Sequence, residues 1–256
     1  MKVVTHSSEL PLACAFVPTM GALHAGHASL FKIAKSLSNH VVASIFINPL
    51  QFENPTDLAQ YPRTPESDIE LAASSGVTHL WLPKYEEIYP EGFERLTADP
   101  IGNLFEGAAR PGHFDGVVTV VQRLFDLVMP KVAIFGEKDF QQLFLIKKIA
   151  HDIEIIAAPT IRESDGLAMS SRNSRLSEAG RTAASIMYRA LKTAKSEAEL
   201  QELLKSEPLF TLDYAVFIDE QTFMPASPDT QKVRALVAGW IDGIRLIDNM
   251  AMEVRS

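Results

Sequence analysis

Through the first two-thirds of the chain, apolar runs of strand length alternate with stretches patterned for helix, and this alternation limits the fold more than any other feature. Residues 13–17, 41–47, 79–82, 132–135 and 153–158 are short apolar runs. Between them, 26–39, 66–75, 116–129 and 141–151 carry apolar residues at helical spacing, most clearly Val117, Val120, Val121, Leu124, Leu127 and Val128. Strands buried on both faces and separated by helices indicate an α/β fold, a parallel sheet with helices on either side. Ligands of such sheets bind where strands end and helices begin.

After Pro159 the texture changes. Residues 162–175 are polar and rich in Ser, Asp and Gly, which reads as a loop and a candidate hinge. An Ala-rich helical stretch covers 177–206, and 212–218, 235–240 and 244–247 read as antiparallel strands joined by turns. The expected organisation is therefore a first domain over 1–159 and a small α+β domain over 160–256, with no internal repeat. A formal charge of −8 excludes a general nucleic-acid binder, so an anionic ligand must be held by local donors. The single cysteine, Cys14, rules out intramolecular disulfides and lies in the first apolar run, where it reads as a core thiol. No charged-then-apolar leader and no 18-residue apolar run is present, and the chain reads as cytoplasmic, with no membrane or nucleic-acid partner.

The segments that carry chemistry fall at strand ends and loops. Met20-Gly21-Ala22-Leu23-His24-Ala25-Gly26-His27 follows the first apolar run and opens a helix. A helix N-terminus favours an anion, and two imidazoles there add donors that can follow charge developing on a leaving phosphate. Asn48 and Gln51 follow the second strand, where amides could read hydroxyls or a carboxylate, although turn chemistry alone would also place them there. Gly136-Glu137-Lys138-Asp139 closes a later strand. Lys138 suits a phosphate and Asp139 suits a helix N-cap, and a solvated lysine beside a capping aspartate is the plain alternative. Of Gln141 and Gln142, helical geometry lets only one face a site. Arg110 and His113 precede the helix at 116–129, with an Arg110–Glu106 pair as the structural alternative. Met169-Ser170-Ser171-Arg172 could close over a triphosphate, or be an ordinary interdomain loop.

Together these segments closely resemble the pantoate–β-alanine ligase family (the pantothenate synthetases), of the nucleotidyltransferase superfamily related to class I aminoacyl-tRNA synthetases. The resemblance rests on the stretch from Phe16 to His27, on Tyr61-Pro62-Arg63-Thr64, Arg110-Pro111-Gly112-His113-Phe114, Phe135 to Gln142 and Ser170-Ser171-Arg172-Asn173, and on the tail Arg245-Leu246-Ile247-Asp248-Asn249. It spans nearly the whole chain. It implies a Rossmann-like domain with a smaller C-terminal lid, and a two-step reaction: ATP activates pantoate as pantoyl adenylate, which β-alanine then converts to pantothenate. It also implies that His24 and His27 contact the phosphates, that Gln51 and Gln142 hold pantoate, and that Met20, Asn48 and Arg110 line the same cleft. Gly136, Glu137, Lys138 and Asp139 would bind ATP, with Lys138 at the phosphates and Asp139 at the ribose. Met169, Ser170, Ser171 and Arg172 would form a mobile phosphate clamp, and Ile161 would meet adenine through its backbone. Mg²⁺ would accompany the triphosphate, with no protein ligand assigned, and the enzyme would be a homodimer. The family's usual amphipathic N-terminal helix has little room in the residues before Phe16, and 147–154 is shorter than is usual. Another adenylyltransferase of the superfamily, or a non-catalytic nucleotide-binding module, are the competing readings.

Overall fold

The central strands are apolar on both sides because helices cover both. The computed structural model describes residues 1–98 and 100–252, and divides them into two units. The first, Met1–Glu137 with Gln141–Pro159, holds six strands: β1 (Lys2–Val4), β2 (Ala15–Thr19), β3 (Val41–Ile45), β4 (His79–Trp81), β5 (Val132–Gly136) and β6 (Glu154–Ala158). They pair in the order β1-β4-β3-β2-β5-β6, every pair parallel. Its helices are α1 (Ala25–Leu37), α2 (Pro55–Ala59), α3 (Pro65–Ser74), α4 (Tyr85–Ile88), α5 (Glu106–Ala109), α6 (His113–Val128) and α7 (Phe140–Ile149), the last entered through Phe140.

Alternation along the strands divides the core. Ala15, Val17, Val41, Ala43 and Ile134 pack with Phe31 and Ala34 of α1 and Ala72 of α3. The intervening Phe16, Val42, Ala133 and Phe135 point the other way and are equally buried. On that side Phe125 of α6 meets Phe135 edge-on, with ring centroids 6.3 Å apart. Cys14 is buried, and burial pushes its thiol up to about 11, so it is inert at neutral pH.

The chain leaves β2 through α1 to β3 on one side, while β5 lies on the other. That reversal at β2 is the topological switch point of the sheet, and its carboxyl edge is where open α/β sheets bind ligands. Strand β1 has no counterpart in the sequence reading. It is three residues long at the sheet edge, with two of them exposed, too short to show any periodicity.

The second unit comprises Lys138–Phe140 and Thr160–Ser256, of which 253–256 lie outside the described residues. The helical stretch expected over 177–206 is three helices, α8 (Glu178–Ala183), α9 (Ile186–Thr193) and α10 (Glu197–Lys205). Ser177 and Ser196 explain two of the starts, since their side chains accept from Gly180 N and Glu199 N. An antiparallel sheet follows in the order β7 (Thr211–Asp219), β8 (Val233–Ile241), β9 (Ile244–Met252). Asp242 and Gly243 join β8 to β9 with φ of +53° and +72°, the left-handed pair that a two-residue hairpin turn demands. Strand β9 runs five residues beyond the expected 244–247, because Asp248 and Asn249 are buried polar residues inside it and hide its pattern. The polar stretch 162–175 is also more ordered than a plain loop: Arg162 bridges Ala168, and Ser171–Arg175 form a 3-10 turn.

Candidate active site

At the carboxyl end of β2 the chain turns through Gly21 and Ala22, both with positive φ, +81° and +50°. A non-glycine residue at positive φ persists only where its surroundings hold it. Here the holder is Asp68 of α3, a buried carboxylate that accepts from Ala22 N at 3.0 Å, Leu23 N at 2.8 Å and Thr64 Oγ1 at 3.0 Å. A Cβ on Gly21 would stand 3.0 Å from both Asp68 Oδ2 and Ile45 Cγ2, so the turn has room only for glycine. Thr19 secures the other side, donating to Ser44 O at 2.7 Å and accepting from Gly21 N at 3.2 Å.

His24 then serves as N-cap of α1. Its Nδ1 accepts from Gly26 N at 3.1 Å, and Nδ1 of His27 accepts from His24 N at 3.2 Å. Both rings therefore use Nδ1 as acceptor, which places the proton of each neutral imidazole on Nε2. The rings lie 4.2 Å apart. Two N–H donors are thus fixed at the positive end of a 13-residue helix.

Beside this loop is a second braced group. Gln51 Nε2 donates to Met20 Sδ at 3.0 Å, while Gln51 Oε1 accepts from Asn48 Nδ2 at 3.1 Å. Asn48 is fully engaged by protein: Nδ2 also donates to Gly116 O at 3.0 Å, and Oδ1 accepts from Tyr89 Oη at 2.7 Å and Leu50 N at 3.2 Å. Burial pushes the Tyr89 hydroxyl far up in pKa, so it remains a donor at any working pH. Asn48 thus braces Gln51, in keeping with the turn chemistry that its place after a strand allows. The main-chain carbonyl of Gln51 accepts from His113 Nδ1 at 2.8 Å and Arg110 Nη2 at 3.4 Å, and Arg110 Nη1 donates to His113 Nε2 at 3.2 Å. Arg110 therefore braces the same segment as Asn48.

Gly116 permits this contact, since a Cβ there would lie 2.7 Å from Gln51 N and closer still to Leu50. Gly116→Ala is expected to cost about 1–3 kcal/mol through overpacking against backbone. Thermal unfolding checks it, and an unchanged melting temperature would show that residues 49–51 give way freely.

Gln141 and Gln142 separate as helical geometry requires. Gln141 is buried and structural, donating to Ile101 O and Leu104 O at 2.8 Å and accepting from Glu106 N at 3.1 Å. Gln142 is half-buried on the other side of α7. A cavity of about 470 Å³ is lined by Met20 and Gly21 together with Ile45, Leu58, Thr64 and Leu82, among others, mostly carbon and of small-molecule size.

Met20 to His27, Asn48, Gln51, Arg110, Gly136, Glu137 and Gln142 belong to the first unit. Lys138, Asp139, Ile161, Met169, Ser170, Ser171 and Arg172 belong to the second. In that unit Lys138 Nζ lies 3.6 Å from Asp139 Oδ1, and Ser170 caps the 3-10 turn by accepting from Arg172 N at 3.3 Å. Met169 N donates to Ile161 O at 2.9 Å, pairing the adenine and phosphate candidates across a hairpin.

The family described as pantoate–β-alanine ligase matches residues 2–251. The chain belongs to that family. It is 46% identical to pantothenate synthetase of Acidothermus cellulolyticus, with 93% of this chain and 85% of that protein covered. Against the counterpart from Chlorobium phaeovibrioides the identity is 44%, over 91% and 86%. Pantothenate synthetase of Thermus thermophilus superposes with a TM-score of 0.92 at 42% identity, covering 98% and 99% of the two chains. The Francisella tularensis ligase, solved with β-γ ATP and β-alanine, gives 0.84 at 36% identity over 98% and 97%. The ligase family membership, the parallel sheet and the small C-terminal unit all agree with the sequence reading.

Two features of this ligase escaped that reading. Asp68 looks in sequence like an acidic residue of a helix's first turn, and Tyr89 like a stray aromatic. Their roles depend on partners 41 to 46 positions away, which no local pattern reports.

Proposed function

We propose that this chain joins pantoate to β-alanine at the expense of ATP, by way of pantoyl adenylate. A pantoate carboxylate oxygen bonds to the α-phosphorus of ATP as the bond to the bridging oxygen breaks, and pyrophosphate leaves. The amine of β-alanine then attacks the acyl carbon, the acyl carbon–oxygen bond breaks with its electron pair and oxygen leaving on AMP, and the amine loses a proton. The nucleophile of the first step is already an anion. Positioning and charge stabilisation therefore do most of the work.

The observation that carries this reading is the pair of imidazoles on the N-terminus of α1 at the switch point of the sheet. Their Nε2–H groups suit the departing pyrophosphate. Gln51 and Gln142 hold pantoate, Arg110 and Asn48 keep Gln51 in place, and Met20 shapes the wall. Gly136 and Glu137 border the nucleotide, Lys138 meets its phosphates and Asp139 its ribose. Ser170, Ser171 and Arg172 clamp the triphosphate, flanked by Met169, and Ile161 meets adenine. Among the described residues no three His, Cys, Asp or Glu stand together to hold a metal. A Mg²⁺ carried by phosphate oxygens fits such a site, since that ion commonly rides on its substrate with few protein ligands. There it would neutralise phosphate charge. The proposal includes a homodimer, on the family resemblance, and a cytoplasmic setting, with which a single buried cysteine accords. No helix among the described residues is long and apolar enough to cross a membrane.

The test is exchange of labelled pyrophosphate into ATP without β-alanine. Exchange that requires pantoate is expected. Exchange driven by another acid but not pantoate overturns pantoate as the substrate, and no exchange at all overturns the adenylate route in favour of a non-catalytic nucleotide-binding module.

A further inference from the structure

Lys138, Asp139 and Phe140 group with the second unit although the chain on either side belongs to the first. Their anchors are specific. Phe140 stacks on the buried Phe223, with centroids 6.0 Å apart and planes 16° from parallel, and the Arg234 guanidinium lies 4.0 Å from the Phe140 centroid. The carbonyl of Lys138 accepts from Asn249 Nδ2 at 2.8 Å. Asn249 cannot turn its amide over. Its Oδ1 accepts from Arg234 Nη1 at 2.6 Å, and arginine only donates, so Nδ2 must face the Lys138 carbonyl. Arg234 is itself fixed by Glu220, which accepts from Nε at 2.6 Å.

The neighbouring residue reaches the other phosphate segment. Asp248, almost fully buried, accepts from Arg162 Nη1 at 2.6 Å and Nη2 at 2.9 Å, a two-pronged pair with a fixed plane. Arg162 Nη1 also donates to Gly166 O at 3.0 Å, and Arg162 bridges Ala168 across the hairpin that leads into Met169, Ser170, Ser171 and Arg172. Asn249 N donates to Asp248 Oδ1 at 2.8 Å, so the two residues are tied to one another.

We infer that Asp248 and Asn249 are positioning residues that hold Lys138 and the hairpin before Ser170 in one register, so that both meet the same triphosphate. This rests on the reading of Lys138 and Arg172 as phosphate contacts. Neither Asp248 nor Asn249 need touch substrate.

Asn249→Asp tests it. The aspartate keeps the bond to Arg234 and sets a second carboxylate oxygen against the Lys138 carbonyl, turning an attraction into a repulsion. In the exchange assay kcat is expected to fall about tenfold, the scale of one lost hydrogen bond with its acceptor left unpaired. KM for ATP should rise while KM for pantoate stays within about twofold, a split that general loosening of the fold would not produce. In a Lys138→Ala background the same substitution should add nothing, because its effect passes through Lys138. Effects that multiply in the double variant, or wild-type kinetics in Asn249→Asp beside an impaired Lys138→Ala, overturn the inference. A Lys138→Ala enzyme with wild-type kinetics instead removes the phosphate reading of Lys138, and the inference with it. If circular dichroism shows Asn249→Asp unfolded, Asn249→Ser, too short to reach Lys138, replaces it with the same expected outcomes.

Discussion

Replacing His27 by alanine is expected to slow pantoate-dependent pyrophosphate exchange by roughly two to three orders of magnitude, the usual consequence of removing one preorganised donor from developing charge. The Nε2–H of His27 is lost outright. His27 Nδ1 also accepts from His24 N, so the first turn of α1 loosens and the second donor is less firmly aimed. That structural part is small, about 1 kcal/mol for a helix cap. A modest fall in melting temperature should therefore accompany a large fall in rate. His27→Asn separates the two parts: a short amide can still accept from the helix backbone but cannot extend a donor as far as Nε2. Its stability should lie near wild type and its exchange rate near that of the alanine variant. Exchange by His27→Ala within twofold of wild type would remove the imidazole from the first step.

The layout of the sheet was legible because each central strand is buried on both faces and shows a continuous apolar run. The same burial made the strand ends visible, and with them the loops at Met20, Asn48 and Gly136. Features fixed by distant partners were not legible. Lys138 lies two positions after Gly136, yet its backbone is held by Asn249, 111 positions on. Nothing in the local pattern around either residue encodes that pairing. Asn48 shows the opposite limit. Its position after a strand fitted either an amide reading substrate or turn chemistry, and all four of its side-chain polar contacts are with protein. An amide's place in the chain locates it at the site without telling which layer of the site it occupies.

Asp68 is where stability and reaction meet most directly, and Asp68→Ala is expected to affect both. Three donors lose one carboxylate: Ala22 N, Leu23 N and Thr64 Oγ1. The two main-chain groups are partly accessible, so water takes up some of the loss, and a destabilisation of about 2 kcal/mol follows. The larger effect is on geometry. Ala22 holds φ at +50° while the carboxylate grips the next amide as well, and without that grip the turn relaxes toward ordinary backbone. Relaxation there moves His24, two residues on, out of register with the N-terminus of α1. A displacement of about 1 Å at a positioning residue can cost on the order of a hundredfold in rate. Asp68→Asn sharpens the test, since both carboxylate oxygens accept main-chain N–H groups and either orientation of an amide sets a donor against a donor. It should therefore behave like Asp68→Ala in rate despite its equal size, whereas Thr64→Val, which removes a single bond to Asp68, should lose far less. Thermal unfolding and pyrophosphate exchange, measured on all three below their melting temperatures, decide it. An asparagine variant that exchanges at the wild-type rate would mean that the Gly21-Ala22 turn holds its shape without the carboxylate, and that the placement of His24 originates in α1 alone.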